Sequence, residues 1–92
     1  MTRDRAETVA LTALAWLAGD EDLLGVFLGS TGAAPDDLRA RAGDPAFLAS
    51  VLEFLTMDDD WVRRCAEATG LDPTEPMAAR VVLEGPAGMH WT

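Results

Sequence analysis

The chain has 92 residues, 16 acidic and 7 basic side chains, a formal net charge of −9 and a single cysteine. This length fits one domain, and the acidity excludes general binding to phosphate backbones and to anionic lipid surfaces. One cysteine cannot form an intrachain disulfide, which fits a reducing compartment. Because 49 % of the residues are hydrophobic and no apolar run approaches the ~18 residues of a membrane span, we expect a folded cytoplasmic protein with neither nucleic acid nor membrane as a partner.

The first predicted helix spans Asp4–Ala18 and ends at Gly19. An acidic residue near its start suits the positive end of the helix dipole. Trp16 lies at the edge of its apolar arc, which is therefore wide. The other apolar side chains recur at helical spacing and should form one buried face: Ala6, Val9, Ala10, Ala13, Leu14 and Leu17.

The second predicted helix begins at Asp20 and ends at Gly32. Its apolar stripe consists of Leu23, Leu24, Phe27 and Leu28. A short third helix begins at Pro35, because proline suits the first position of a helix. Leu38 and Ala42 are expected to face the core from this helix.

Asp44 and Pro45 start the fourth predicted helix, as an N-cap followed by proline at the first helical position. Its apolar stripe is the clearest in the chain: Phe47, Leu48, Val51, Leu52 and Leu55. Asp58–Asp60 lead a fifth helix that ends at Gly70. Its expected apolar residues are Trp61, Val62, Cys65 and Ala66.

The sixth predicted helix starts between residues 72 and 76, stops by Gly85 and carries an apolar face of Met77, Ala78, Val81 and Val82. Residues 85–92 lack periodicity and are predicted to form a flexible C-terminal tail. No segment alternates like a strand. The predicted fold class is therefore all-α, a bundle of five to six helices in one domain over residues 1–84.

A shift of 38 residues aligns the two halves of the chain. The aligned halves share helix-start and helix-stop residues, among them Asp20 with Asp58, Gly32 with Gly70 and Pro35 with Pro73. We interpret this pattern as two tandem three-helix repeats, about residues 5–42 and 44–84. The first and fourth helices should then pack together at the centre, related roughly by a pseudo-twofold axis.

The acidic helix starts imitate a metal site only in part. From Asp20 onwards the acids match the first and third positions of a calcium loop, but Leu24 and Thr31 stand at its fifth and twelfth positions. We interpret these acids as helix caps and predict no metal ligands. The arginines are expected to pair with acids on their own helices: Asp59 with Arg63, Asp60 with Arg64, Asp37 with Arg41 and Asp36 with Arg39.

The sequence offers no catalytic set. Cys65 lies on an apolar helix face, and the single histidine, His90, lies in the predicted tail, so the thiol has no base beside it. Phosphate-binding and dinucleotide-binding loops are also missing. We therefore predict a protein that is not an enzyme, with no catalytic residues and no cofactor.

Three segments carry a resemblance to a known family. They read AGDEDLLGxFLxxTG over residues 18–32, PDDLRAR over 35–41 and DPAFLAxVLEFL over 44–55. The chain resembles a small alphaproteobacterial family of all-helical proteins of unknown function, over about residues 5–83. The resemblance implies a short helical cytoplasmic protein, and it brings no functional residues with it. A bacterial source also agrees with the missing Lys, Ile, Asn and Tyr, whose codons are AT-rich; selection of Arg for bidentate binding is the alternative explanation.

The wide apolar arcs suggest a role in protein interaction. Leu11, Trp16 and Trp61 are expected to remain partly exposed and to form a protein-interaction surface. The leading hypothesis is a regulatory or interaction module that binds another protein or itself, in the latter case as a homodimer. The alternative is a protein that binds a small molecule or a divalent metal in the cleft between the two repeats.

Overall fold

Residues 1–88 are described by a computed structural model, with side chains as far as residue 85. This part of the chain contains no strand and confirms the all-α bundle. The predicted order of helices is also confirmed: α1 (Arg3–Ala18), α2 (Glu21–Thr31), α3 (Pro35–Ala40), α4 (Pro45–Leu55), α5 (Asp59–Thr69) and α6 (Glu75–Gly88). No helix within residues 1–88 is long and apolar enough to cross a bilayer.

Side-chain caps explain where the helices begin. Asp20 Oδ1 accepts a hydrogen bond from the amide of Leu23 at 3.1 Å, and Asp58 Oδ1 accepts one from the amide of Asp60 at 2.8 Å. Both bonds satisfy first-turn amides that have no partner within the helix. The start of α1 lies one residue earlier than predicted, because Thr2 acts as its N-cap.

The ends of α2 and α5 share one geometry. Gly32 and Gly70 adopt φ values of +75° and +80°, which glycine adopts without the Cβ clash of other residues. The hydroxyls of Thr31 and Thr69 donate to the carbonyl four residues earlier, at 2.8 and 2.7 Å. These ends match at the 38-residue offset, while the duplication itself stays a sequence-based prediction.

The core lies where α1, α4 and α6 meet. α6 packs against both α1 and α4, and α1 also contacts α4, α5 and α2. The predicted apolar faces of α1 and α4 are buried throughout. Phe27 of α2 is fully buried and makes edge-to-face contacts with Phe47 and Phe54, with ring centroids 6.1 and 5.3 Å apart. These contacts hold α2 against α4.

The packing of the two halves is not symmetric. α1 and α4 contact each other as predicted, but α6 covers both, whereas its counterpart α3 makes no comparably extensive contact with the other helices of residues 1–88. α6 has 14 residues and α3 has 6. At 1.5 Å per residue, only the longer helix can lie along both central helices.

Two predictions for α6 are wrong. The helix continues past Gly85 to Gly88, and residues 89–92 of the predicted tail, with His90, lie outside the described residues. Met77 and Val81 are 45 % and 60 % exposed, and Ala78 is exposed as well. Of the four predicted residues only Val82 packs against the core, where it is half-buried, and the buried row consists of Pro76, Ala79 and Leu83. Since each residue turns a helix by 100°, a row that begins one residue earlier faces a different direction.

Candidate protein-interaction groove

An open groove of about 820 Å³ lies between the C-terminal half of α1 and the short helix α3. We call it the α1–α3 groove. Its lining is mostly apolar and consists of Leu11, Leu14, Ala15, Ala18, Pro35, Asp36, Leu38, Arg39 and Ala40. Leu11 is 44 % exposed at this surface. Apolar concavities of this kind on small domains are typical of binding surfaces.

The spacing of residues on α1 creates one wall of the groove. Leu11, Ala15 and Ala18 stand at i, i+4 and i+7, so they share one side of the helix, next to the face that is buried in the core. Leu14 belongs to that buried face and also lines the groove. Because two of the three exposed residues are alanines, the surface of α1 is low here and leaves space above it.

The opposite wall is held in place by the start of α3. Pro35 occupies the first turn, and Asp37 accepts a hydrogen bond from the amide of Ala34 at 2.9 Å. Leu38 is half-buried and packs against the core, which anchors the helix by one apolar side chain. The groove is the space between this anchored helix and the low surface of α1.

The charged side chains of the groove make no ion pair with another described residue. Asp36 and Arg39 both line it, and both are exposed. The other six arginines of the chain pair with carboxylates, whereas Arg39 has no such partner among residues 1–88. The predicted ion pair between Asp36 and Arg39 is therefore wrong. A guanidinium and a carboxylate thus stand unpaired at the edge of an apolar surface.

The other predicted arginine pairs are also wrong in their partners. Arg63 pairs with Asp60 at 3.8 Å, three residues away rather than four, and Arg41 pairs with Asp44 rather than with Asp37. Arg64 pairs at 2.7 Å with Asp20, the N-cap of α2. Helical spacing identifies the acids within reach on one helix, but it does not reveal an acid on a neighbouring helix.

The predicted interaction residues do not form one surface. Leu11 lies in the α1–α3 groove. Trp16 is half-buried, with the Arg64 guanidinium 5.8 Å from its ring centroid, and it lines a second, more polar groove of about 580 Å³ beside residues 19–22. Trp61 is half-buried and stacks on Phe54 with centroids 4.8 Å apart, and it lines neither groove. Ala15 lines both grooves and connects the sites of Leu11 and Trp16.

The acidic helix starts and the cysteine have structural roles in the described part of the chain. The described residues contain no group of three or more His, Cys, Asp or Glu side chains arranged to hold a metal ion. Asp20 and Asp58 are both N-caps. Cys65 is fully buried, and this burial raises the pKa of its thiol, although a hydrogen bond with Thr69 acts in the opposite direction. At neutral pH the thiol is therefore protonated.

The start of α6 is tied to the start of α1 by a carboxylate. Glu75 Oε1 accepts a hydrogen bond from the amide of Asp72 at 3.0 Å, and Glu75 Oε2 accepts one from Arg5 Nη2 at 2.7 Å. These two bonds, the backbone one first, lower the pKa of Glu75. Hydrogen bonds from the hydroxyl and the amide of Thr74 likewise lower the pKa of Asp72. The two acids thus fix the start of the helix that the sequence left ambiguous.

The sequence predicts Leu11 at an interaction surface but does not predict the groove, because its other lining residues carry no such signal. Arg39 was expected to pair with Asp36, and Ala15 and Ala18 lie outside the main apolar stripe. The available signal was the second row on α1, which runs through Leu11, Ala15 and Ala18 at helical spacing. That row lies next to the buried face, so a neighbouring helix can pack against it.

The fold and the groove define a small all-α bundle that carries an open apolar surface with unpaired charges at its edge. The chain belongs to the family described as protein of unknown function (DUF3572), whose model matches residues 3–86. The predicted resemblance to a family of unknown function is thereby confirmed. No curated protein and no solved structure gives a significant match to the chain.

Proposed function

We propose that this chain is a non-enzymatic module that binds another protein in the α1–α3 groove. The observation that carries the proposal is the exposure of Leu11 at a mostly apolar concavity of about 820 Å³. The partner's apolar side chains would cover surface that the folded chain leaves in water, at a gain of about 25 cal/mol per Å² before the costs of association.

The shape of the surface favours a protein over a small molecule. A small-molecule site normally encloses most of its ligand, whereas this groove is an open channel between two helices. Both grooves described above are lined by residues 11–40 only, which lie within the first predicted repeat. The alternative of a ligand in a cleft between the two repeats gains no support from either groove.

The proposal is tested by affinity purification from the native cell with a matched pair of variants. Leu11→Glu places a charge in the groove, and Val26→Glu places the same charge on an exposed position of α2, where the side chain is 48 % exposed and lines neither groove. We expect a reproducible partner whose recovery falls roughly tenfold with Leu11→Glu and stays unchanged with Val26→Glu. Equal recovery with both variants, or no reproducible partner, would contradict the proposal.

The compartment and the source are part of the same proposal. The single cysteine, buried and unpaired, suits a reducing compartment such as the cytoplasm. The lack of residues with AT-rich codons supports a bacterial source, and the sequence resemblance supports an alphaproteobacterial one. Fractionation of the native cell, with the chain detected by an antibody, tests the compartment.

A further inference from the structure

The charges at the edge of the α1–α3 groove specify its occupant. We infer that the groove receives a helix of a partner protein that carries apolar anchors, an acidic side chain opposite Arg39 and a basic side chain opposite Asp36. This inference rests on the proposed function and adds the chemistry of the partner to it.

Covering the unpaired charges of the groove with a partner has a cost in free energy. Asp36 and Arg39 make no ion pair within residues 1–88, and water solvates both groups in the free chain. An apolar partner seated in the groove would remove part of that water from both charges at a cost in free energy. A partner with the complementary charges restores the lost interactions, and partners with like charges are rejected.

Asp36 and Arg39 have a defined arrangement on α3. They stand three residues apart on α3, about 4.5 Å along the helix axis, with the acid toward the start of the helix and the base toward its end. A partner helix presents a base and an acid at the same separation when it uses residues i and i+3. The order of the base and the acid along the partner's sequence therefore sets its direction: a base that precedes the acid places the partner helix parallel to α3, and the reverse order places it antiparallel.

The apolar surface of α1 in the groove has the size of a helix contact. Leu11, Ala15 and Ala18 extend over about 10 Å of α1, which corresponds to two turns. The small side chains of Ala15, Ala18 and Ala40 leave room for a helix to approach to the usual interaxial distance of about 8–10 Å. Amphipathic helices recognise grooves of this kind through apolar anchors at i, i+3, i+4 and i+7. A second copy of this chain is the weaker candidate, because two chains of net charge −9 repel each other.

The experiment is site-specific photo-crosslinking in the native cell with the full chain. The photoreactive residue p-benzoylphenylalanine replaces Leu11 in one variant and Val26 in the matched control, and mass spectrometry identifies the adducts and the crosslinked peptide. We expect adducts from position 11 only, with a partner peptide that is helical and has one acidic and one basic residue at i, i+3 spacing beside its apolar residues.

A charge-swap variant then tests the role of the two charges. Asp36→Arg combined with Arg39→Asp inverts the local pattern and leaves the net charge unchanged. Binding of the identified partner peptide, measured by fluorescence titration, should weaken at least about tenfold with this variant and recover when the acid and the base of the peptide are exchanged. Circular dichroism confirms that the variant remains folded.

Three results would overturn this inference. Adducts from position 11 whose peptide lacks the charged pair, or whose affinity ignores the charge swap, contradict the inference and leave the proposed function intact. A crosslinked peptide that comes from this same chain identifies a second copy as the occupant. No adduct from position 11, in cells where a control crosslinker on a known complex reacts, contradicts the inference and the proposed function together.

Discussion

At the scale of single residues, the choice of residue type is most restricted at the helix ends. Asp20, Asp58 and the glycines at positions 32 and 70 were all assigned correctly from the sequence, because each has a mechanical role that only a few residue types can fill. Thr2 was missed as the cap of α1, since a more acidic start two residues later gave the stronger signal. Local rules thus predict these helix ends to within one or two residues, whereas the end of α6 lies three residues beyond its predicted stop.

Two glycines should respond to alanine with opposite signs. Gly70→Ala forces a Cβ into a backbone with φ of +80° and should destabilise the fold by about 1 kcal/mol. Gly25→Ala lies inside α2, where an added Cβ meets nothing within 4 Å, and should stabilise it by about 0.5–1 kcal/mol. Thermal unfolding followed by circular dichroism measures both changes. An unchanged midpoint for Gly70→Ala would contradict the cap assignment, and a lower midpoint for Gly25→Ala would contradict the open space around that position of α2.

The carboxylate of Glu75 gives stability a defined dependence on pH. Its pKa is lower in the folded chain than in the unfolded chain, so its contribution is full above the ordinary glutamate pKa and disappears as the pH falls through the lowered value. Glu75→Gln should therefore unfold at a lower temperature than the natural chain at pH 7, and the difference should shrink toward pH 3. Glu67→Gln is the control, since Glu67 makes no ion pair among the described residues. A difference that is constant with pH would contradict the ion pair with Arg5.

At the scale of the helices, periodicity predicted the buried face where the apolar stripe is unbroken and failed where it is not. In α4 every residue of the predicted stripe is buried, and Ala49 and Phe54 beside it are buried as well, so burial extends beyond the stripe. In α6 two rows of apolar residues could face the core. The sequence favours the row with Met77 and Val81, because these side chains are larger and more hydrophobic than Pro76 and Ala79. The structure buries the row of Pro76, Ala79 and Leu83 against α1 and α4, and Ala79, which is fully buried there, is small. Close packing between three helices favours small side chains, which a hydrophobicity pattern undervalues.

Two substitutions in α6 distinguish these rows. Val81→Glu changes a side chain that is 60 % exposed and should alter stability by less than about 0.5 kcal/mol. Ala79→Glu places a carboxylate where the native side chain is fully buried and should cost more than about 3 kcal/mol. Denaturant unfolding of both variants supplies the measurement. Equal losses of stability would show that the orientation of α6 is wrong.

At the scale of the whole molecule, the sequence predicted the fold class but not the groove. Helix periods identify which face of a helix is buried, and they do not say which helix covers it. The groove arises from the relative placement of α1 and α3, which are separated in the chain by α2. For the same reason Arg64 was assigned to its own helix, although it pairs with Asp20 across the bundle.

The single cysteine reports on the integrity of the entire core. Cys65 of α5 is fully buried in the hydrophobic core, and this burial raises the pKa of its thiol. A thiol reagent such as a maleimide should therefore leave the folded chain unlabelled at pH 7 and react promptly once denaturant unfolds it. Labelling at the same rate with and without denaturant would contradict the packing of α5 against the core.

We propose above all that a protein partner covers the α1–α3 groove. Hydrogen–deuterium exchange of the chain, alone and with the purified partner recovered from the native cell, tests it directly. We predict slower exchange in the second half of α1 and in α3 when the partner is present, and unchanged exchange around Val26 of α2. Protection confined to the exposed row of α6, Met77 and Val81, or the same exchange with and without the partner, would contradict the claim.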